Sequence, residues 1–197
     1  MMKKYFVILV LALATLGARG QGETVIIVNY LPALSLGETA DFTDNFSPRG
    51  VDFEVNKFLK EDLSVGFVIG WNIFREKISG ETFDYRELTI TGTQFRYTNV
   101  TPLNVNVKKY FSAGEESDIR PYAGVGLGTN YAKRTNEIGV FVLSEDKWQF
   151  NVAPEIGLHY DMNRNNILSL KVKYNYSPKA GDFPATSYLS FGIGIGL

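Results

Sequence analysis

The sequence predicts an all-β chain, an eight-stranded antiparallel up-and-down transmembrane β-barrel. Three observations predict it. Eight stretches alternate apolar residues with small or polar ones, and on several the second face is rich in glycine, as in Leu63-Ser-Val-Gly-Phe-Val-Ile-Gly-Trp-Asn72 and Leu189-Ser-Phe-Gly-Ile-Gly-Ile-Gly-Leu197. A basic and then apolar segment opens the chain. The connections between the stretches alternate between short and mostly long. Period-two alternation gives a strand one apolar and one non-apolar face. A water-facing strand position normally carries Thr, Lys or Glu, because Gly forms strands poorly. Repeated Gly on one face indicates a crowded, curved interior, which turns the apolar face outward, toward lipid.

The strands follow in order. The first spans about Thr24–Leu36, with Ile26, Val28, Tyr30, Leu34 and Leu36 on one face and its alternation blurred at Pro32. The second is Val51–Leu59, where Val51, Phe53 and Val55 oppose Asp52, Glu54 and Asn56. The third is Leu63–Phe74. The fourth, Leu103–Phe111, sets Leu103, Val105 and Val107 against Asn104, Asn106 and Lys108. The fifth, Arg120–Tyr131, sets Ala123, Val125 and Leu127 against Gly124, Gly126 and Gly128. The sixth, Trp148–Tyr160, sets Phe150, Val152 and Ile156 against Asn151, Glu155 and His159. The seventh, Ile167–Tyr176, sets Leu170, Val172 and Tyr174 against Ser169, Lys171 and Lys173. The eighth is Thr186–Leu197. Many have the length of a tilted membrane strand, about 9–11 residues.

Short connections fall at Lys60–Asp62, Ser112–Ile119 and Asp161–Asn166; longer ones at Gly37–Gly50, Arg75–Pro102, Ala132–Lys147 and Ser177–Ala185. Membrane barrels have short periplasmic turns and long external loops. Within the second long connection, Thr82–Tyr85 and Leu88–Thr91 read as a hairpin extending the third and fourth strands above the membrane. With odd strands running outward, Trp71, Tyr131, Trp148, Phe150, Tyr174 and Tyr176 gather near the external rim, and Phe111 and Tyr160 near the periplasmic one. Aromatic rings favour such interfaces. Lys57 and Lys109 break the apolar face near the periplasmic strand ends, where a long side chain snorkels to water.

Composition narrows the function. The 197 residues suit one domain, and a net charge of -1 gives no reason to expect nucleic acid. The absence of Cys rules out disulfides, Cys-ligated metals and a lipidated cysteine. Mean hydropathy of -0.07 is too low for a helical membrane protein and ordinary for a barrel with a polar lumen. Residues 1–20 read as a cleaved signal peptide: a basic start through Lys4, an apolar run from Tyr5 to Leu16, and Ala18-Arg-Gly20 before Gln21. The run is too short for a spanning helix, which needs about 20 residues. Residues 21–197 form the barrel domain.

The chemistry sits on the inward face. Asp52, Glu54 and Glu155 share the expected lumen with Lys108, Lys171 and Lys173, and Glu155 is expected opposite Lys173 or Lys171. An interior this narrow is filled by side chains, and buried ions must pair or meet trapped water. The six read as a plug of salt bridges, with a gated polar pathway as the alternative. Gly124-Val-Gly126-Leu-Gly128 lies within a strand, lacks a following helix, and reads as relief of crowding beside Tyr110 and Tyr122 rather than a dinucleotide loop. His159, the sole histidine, falls near the periplasmic end and reads as a satisfied structural residue. One His without Cys makes a metal site improbable. No catalytic, cofactor or metal residue is expected. Asn99-Val-Thr101 matches a glycosylation sequon by chance. The loops Thr39–Phe46 and Arg75–Tyr97 read as solvated, with a surface ligand as the alternative.

Signal, strands and loops together resemble the small eight-stranded outer-membrane barrels of the OmpA, OmpX and OmpW kind, over the whole mature chain. The resemblance implies residence in the bacterial outer membrane, among membrane lipid and lipopolysaccharide, after insertion by the barrel-assembly machinery. It implies a usual aromatic at the C-terminus, where this chain has Leu197. Some barrels of this kind modify envelope lipids or cut proteins, with a histidine at the external rim or lipid face; His159 is expected at the opposite end. The expected function is an integral outer-membrane barrel with a structural or surface-interaction role and no catalysis, possessing no cofactor. A narrow channel for small or hydrophobic solutes is the alternative implied by OmpW-like members; a lipid-modifying envelope enzyme ranks behind both. A soluble lipocalin-like barrel would put the apolar face inside and leaves the glycine face unexplained.

Overall fold

The computed structural model describes residues 23–43, 46–85, 88–111, 117–163 and 166–197. The signal segment expected over residues 1–20 lies outside them. So do parts of two short turns, at 112–116 and 164–165, and of two long connections, at 44–45 and 86–87. Among the described residues no helix is long and apolar enough to cross a membrane; crossing is left to strands.

Among the described residues ten strands form one antiparallel sheet: β1 (Thr24–Tyr30), β2 (Ala33–Leu36), β3 (Phe46–Ser47), β4 (Gly50–Lys60), β5 (Leu63–Tyr85), β6 (Leu88–Tyr110), β7 (Ile119–Ile138), β8 (Phe141–Asn163), β9 (Asn166–Ser177) and β10 (Thr186–Gly196). Neighbours from β4 to β10 follow in sequence order, β1 pairs with β4, and β1 pairs again with β10, which closes the ring. Ile26 and Leu197 exchange both backbone hydrogen bonds at 2.9 Å across that seam. The count of eight staves follows because β1 and β2 are two pieces of one. Pro32 separates them: it lacks an N–H and fixes φ, so the ladder to β4 stops at Tyr30 and Val51. β2 continues along β10 alone, with β3 added on its free side.

Alternation sets the two faces. β1 reads exposed-buried throughout, with Ile26, Val28 and Tyr30 outside and Val25, Ile27 and Asn29 inside. Around the ring Phe53, Phe67, Val105, Val125, Ile156 and Ile193 point outward while Asn56, Asn106, Lys108 and Ser169 are buried. This inverts a water-soluble protein. A continuous apolar outer belt of this size needs lipid as its solvent.

The two ends differ. At one, short turns join β4 to β5 and β8 to β9. At the other, two expected loops are strand. β5 and β6 stay paired from Leu63 and Lys109 to Tyr85 and Leu88, and β7 and β8 stay paired out to Ile138 and Phe141. Arg75–Pro102 and Ala132–Lys147 therefore continue the sheet beyond the apolar belt. Apolar alternation fades there because the outer face leaves the apolar belt and the inner face carries buried polar groups such as Gln94, Thr98 and Asn136, while the backbone ladder persists. The Thr39–Phe46 stretch is corrected too. Residues Gly37–Thr39 form a short 3-10 turn, and Thr39 and Thr43 are fully buried. Ser187 N–H donates to Thr39 Oγ1 at 2.9 Å, Ser35 Oγ donates to Thr43 O at 2.6 Å, and the Thr43 and Thr98 hydroxyls meet at 3.1 Å. Polar side chains that sequence alone assigns to solvent instead tie this segment into the barrel mouth.

Candidate functional site

The ladder brings the six expected lumen charges together. Asp52 and Glu54 lie two apart on β4, Lys171 and Lys173 two apart on β9, with Lys108 on β6 and Glu155 on β8; each is inward by parity. Their contacts form one alternating chain. Glu155 Oε1 lies 3.0 Å from Lys108 Nζ, which donates to Glu54 Oε2 at 2.6 Å. Glu54 also pairs with Lys171, whose Nζ donates to Asp52 Oδ2 at 2.6 Å; Lys173 Nζ donates to the same Asp52 oxygen at 2.7 Å. No member is more than 5 % exposed. Three anions and three cations sum to zero, as buried ions require.

Glycine makes the geometry possible. Lys171 has Gly157 on one neighbouring strand and Gly192 on the other. A side-chain carbon at Gly192 would lie 2.6 Å from Lys171 Cγ, and one at Gly157 would lie 2.7 Å from the Tyr122 ring. Gly124 sits between Lys108 and Glu155 on the ladder, which lets those side chains meet over it. Glu155 faces Lys173 in register, as expected, and its ion-pair partner is Lys108. Two carboxylates on β4 draw both β9 lysines across the lumen, and the bare backbone of Gly124 leaves Lys108 to Glu155.

Layers of other side chains fill the space above and below. Asn106 Nδ2 donates to Asn56 Oδ1 at 3.1 Å, Asn151 Nδ2 to Asn104 Oδ1 at 3.1 Å, and Ser177 Oγ to Asn151 Oδ1 at 2.9 Å. Asn29 Nδ2 donates to Asp52 Oδ1 at 2.7 Å. Apolar clusters cap both ends: Val25, Ile27, Phe58, Tyr110, Tyr122 and Ile167 at the short-turn end, and Ala33, Phe74, Val100, Ala132, Phe183 and Tyr188 at the long-hairpin end. His159 is buried at the short-turn end, its ring 4.9 Å from that of Tyr122 and 5.4 Å from that of Tyr110. The expectation of a satisfied histidine is corrected: neither ring nitrogen has a protein hydrogen-bond partner. The hydroxyls of Tyr110 and Tyr122 share that condition. Among the described residues no group of three or more His, Asp or Glu side chains is set to hold a metal.

The expected rim aromatics all lie on the outer face. Thr101, Tyr131 and Trp148 are successive partners across β6, β7 and β8, and the Tyr131 and Trp148 rings are 5.2 Å apart. Trp71, Phe150 and Tyr176 are exposed on the same half, and Tyr174 stacks on Tyr176 at 6.4 Å. Phe111 and Tyr160 are exposed at the other end. Lys109 reaches past the short turn to pair with Asp62.

A family model described as the OmpW family matches residues 26–183. The chain belongs to the OmpW family. No curated protein matches it by sequence. Solved structures repeat the fold of this OmpW-family chain. Neisserial surface protein A is similar with a TM-score of 0.60 at 12% identity, over 90% of this chain and 99% of its own. The outer membrane protein OprG of Pseudomonas aeruginosa gives 0.53 at 15%, over 88% and 94%. Ail, the attachment invasion locus protein of Yersinia pestis, gives 0.51 at 14% in its complex with a heparin analogue, over 90% and 100%. Family and fold together place the OmpW-family chain in the outer membrane, within its lipid bilayer.

Sequence reasoning missed a second group in this OmpW-family barrel. Phe42, Arg96, Arg134, Asn136, Leu143 and Pro184 line most of a cavity of about 390 Å³ where the β6–β8 extension curves over the mouth. The signal was available. On β6 and β7 the even positions point inward, as at Asn104 and Asn130, and the same parity carried past the belt reaches Arg96, Arg134 and Asn136.

Proposed function

We propose that this OmpW-family chain is a closed, non-catalytic barrel serving the envelope structurally and through its external loops. One observation carries the reading: the alternating chain from Glu155 to Lys173 fills the lumen between two apolar caps. An ion crossing the barrel would have to break charge contacts that no water replaces at once. The short-turn end faces the periplasm and the long hairpins face outward. Residues 1–20 are the cleaved signal, and the assembly machinery inserts the remainder. His159 is buried among tyrosines away from the long hairpins, and among the described residues neither of its ring nitrogens makes the hydrogen bond to Ser or Asp that hydrolytic chemistry needs.

Planar-bilayer recording tests the closed lumen. Wild type should show no steady conductance. Glu54→Gln, which breaks the chain internally, should open it more than Glu155→Ala, which trims its end. Steady wild-type conductance would instead support the narrow-channel reading. That second reading has its own support: the unpartnered hydroxyls of Tyr110 and Tyr122 and nitrogens of His159 call for trapped water at the periplasmic end. N-terminal sequencing of the membrane-inserted protein should begin at Gln21; a start at Met1 would remove the signal assignment.

A further inference from the structure

The mouth cavity has features that the closed lumen does not use. Arg96 and Arg134 lie on its wall, on adjacent strands, and Phe42 sits between them: its ring centre is 5.5 Å from the Arg96 guanidinium carbon and 5.2 Å from that of Arg134. Loops hold Arg134 in place. Its Nη2 donates to Glu38 O at 2.8 Å and to Ala185 O at 3.4 Å, and its guanidinium also lies 5.5 Å from the Phe183 ring centre. Arg96 Nη2 reaches Gln94 Oε1 at 3.5 Å. Among the described residues neither guanidinium has a carboxylate oxygen within 4 Å, and the Nε of each is buried without a partner. Burial pulls the Arg134 guanidinium below its usual range, and Glu38, Glu145 and Asp41 offset this in part. Arginine stays charged regardless; Glu76 faces Arg96 and Glu145 faces Arg134 across the ladder, but neither closes an ion pair within 4 Å.

Asn136 supplies an independent sign. It is the direct ladder partner of Arg96, is only 7 % exposed, lines the cavity, and its Oδ1 has no hydrogen-bond partner. Leaving a buried amide oxygen unpaired is costly, which points to a bound partner at this position. The remaining walls are Leu143, Pro184 and Ser144, with Glu145 across the ladder from Arg134. Apolar walls with a few converging polar groups are the usual make-up of a small-molecule site, and the volume falls in the range of about 300–1,000 Å³.

We propose that the mouth binds a small amphiphilic monoanion: a carboxylate on an aromatic or short aliphatic body. The two guanidiniums take the carboxylate, the Asn136 amide turns so that its Nδ2 donates to a carboxylate oxygen, and Phe42, Leu143 and Pro184 enclose the apolar body. Glu145 on the wall favours a single negative charge over a multiply charged phosphate. The inference deepens the surface-interaction reading above and rests on it.

Calorimetric titration of the full barrel in lipid nanodiscs tests it, with empty nanodiscs as the blank. The probes are phenylacetate, hexanoate, the neutral isostere phenylacetamide and inorganic phosphate. Phenylacetate or hexanoate should bind saturably, phenylacetamide about tenfold more weakly or worse, and phosphate should not compete. Arg96→Gln should weaken the carboxylate about tenfold at an unchanged unfolding midpoint. Arg134→Lys keeps the charge and loses the fork, and should fall between the two. Equal binding of phenylacetate and phenylacetamide, undiminished binding by Arg96→Gln, or no saturable binding of either carboxylate overturns the proposal. Conductance measured on the same preparation separates the two readings. A closed barrel that binds neither carboxylate removes the site alone, whereas a conducting one that binds them removes only the closed lumen.

Discussion

Lys171 extends from β9 across the lumen to the Asp52 carboxylate on β4, meeting it at 2.6 Å, and Lys173 meets the same oxygen at 2.7 Å. One carboxylate thus anchors two ammonium groups. Asp52→Asn leaves both partly unpaired in a buried site, and removal of one partner of a buried pair costs about 3–5 kcal/mol. Urea unfolding in lipid vesicles should show that loss. Adding Lys173→Met to Asp52→Asn should recover part of it, because one orphaned charge goes too.

Gly192→Val should destabilise by about 1–3 kcal/mol through overpacking. The new side chain would occupy the space of the Lys171 stem, so the lysine must leave its carboxylates. The same unfolding assay checks the cost. If crowding is the cause, Gly192→Val should cost less in a Lys171→Ala background than in the wild type.

Lipid contact predicts a depth dependence. Val125 lies on the outer face midway between Tyr131 and Ile119, and Val142 is exposed beyond Trp148. Val125→Arg should cost about 2–4 kcal/mol and Val142→Arg about 0–1 kcal/mol. Equal costs would show that the apolar belt does not follow these strands.

The chain has two tryptophans, Trp71 and Trp148, both outward on the long-hairpin half. In vesicles of brominated lipid, bromine high in the acyl chain should quench their emission more than bromine near the terminal methyl. The reverse order would place the rim elsewhere.

Asp62, in the β4–β5 turn, is held below the usual carboxylate range chiefly by the hydrogen bond from Lys109. A depressed folded pKa contributes stability above the unfolded value of 3.8, lost as pH falls through the folded one. Asp62→Asn should lower the unfolding midpoint slightly at pH 7, and the gap to wild type should close as pH falls from 3.8 through the lower folded value.

Particular residues show how far sequence reaches. Lys108, Glu155 and Lys173 are legible as inward charges because alternation fixes the face of each strand. Their partners are not legible, since contacts across a lumen depend on stagger between distant staves and on where glycine leaves room, as Gly124 does for Lys108. Pro32 announces a break in the first stave but not that β2 would leave β4 and run between β10 and β3. Thr39 and Thr43 carry the composition of a surface loop, and nothing local says that Ser187 and Thr98 await them. Arg96 and Arg134 were hidden by the fading of apolar alternation beyond the lipid.

The seam between β1 and β10 has a mechanical consequence. It joins strands from opposite ends of the sequence through a short ladder, whereas β7 and β8 zip together along nearly their full length. Under tension or partial unfolding the cylinder should part along that line first and open into a curved sheet with two free edges. The same line must be the last to shut during insertion, since neither edge strand meets the other until the staves between them are in place. Until that moment the outer belt and both edges are open to unwanted pairing.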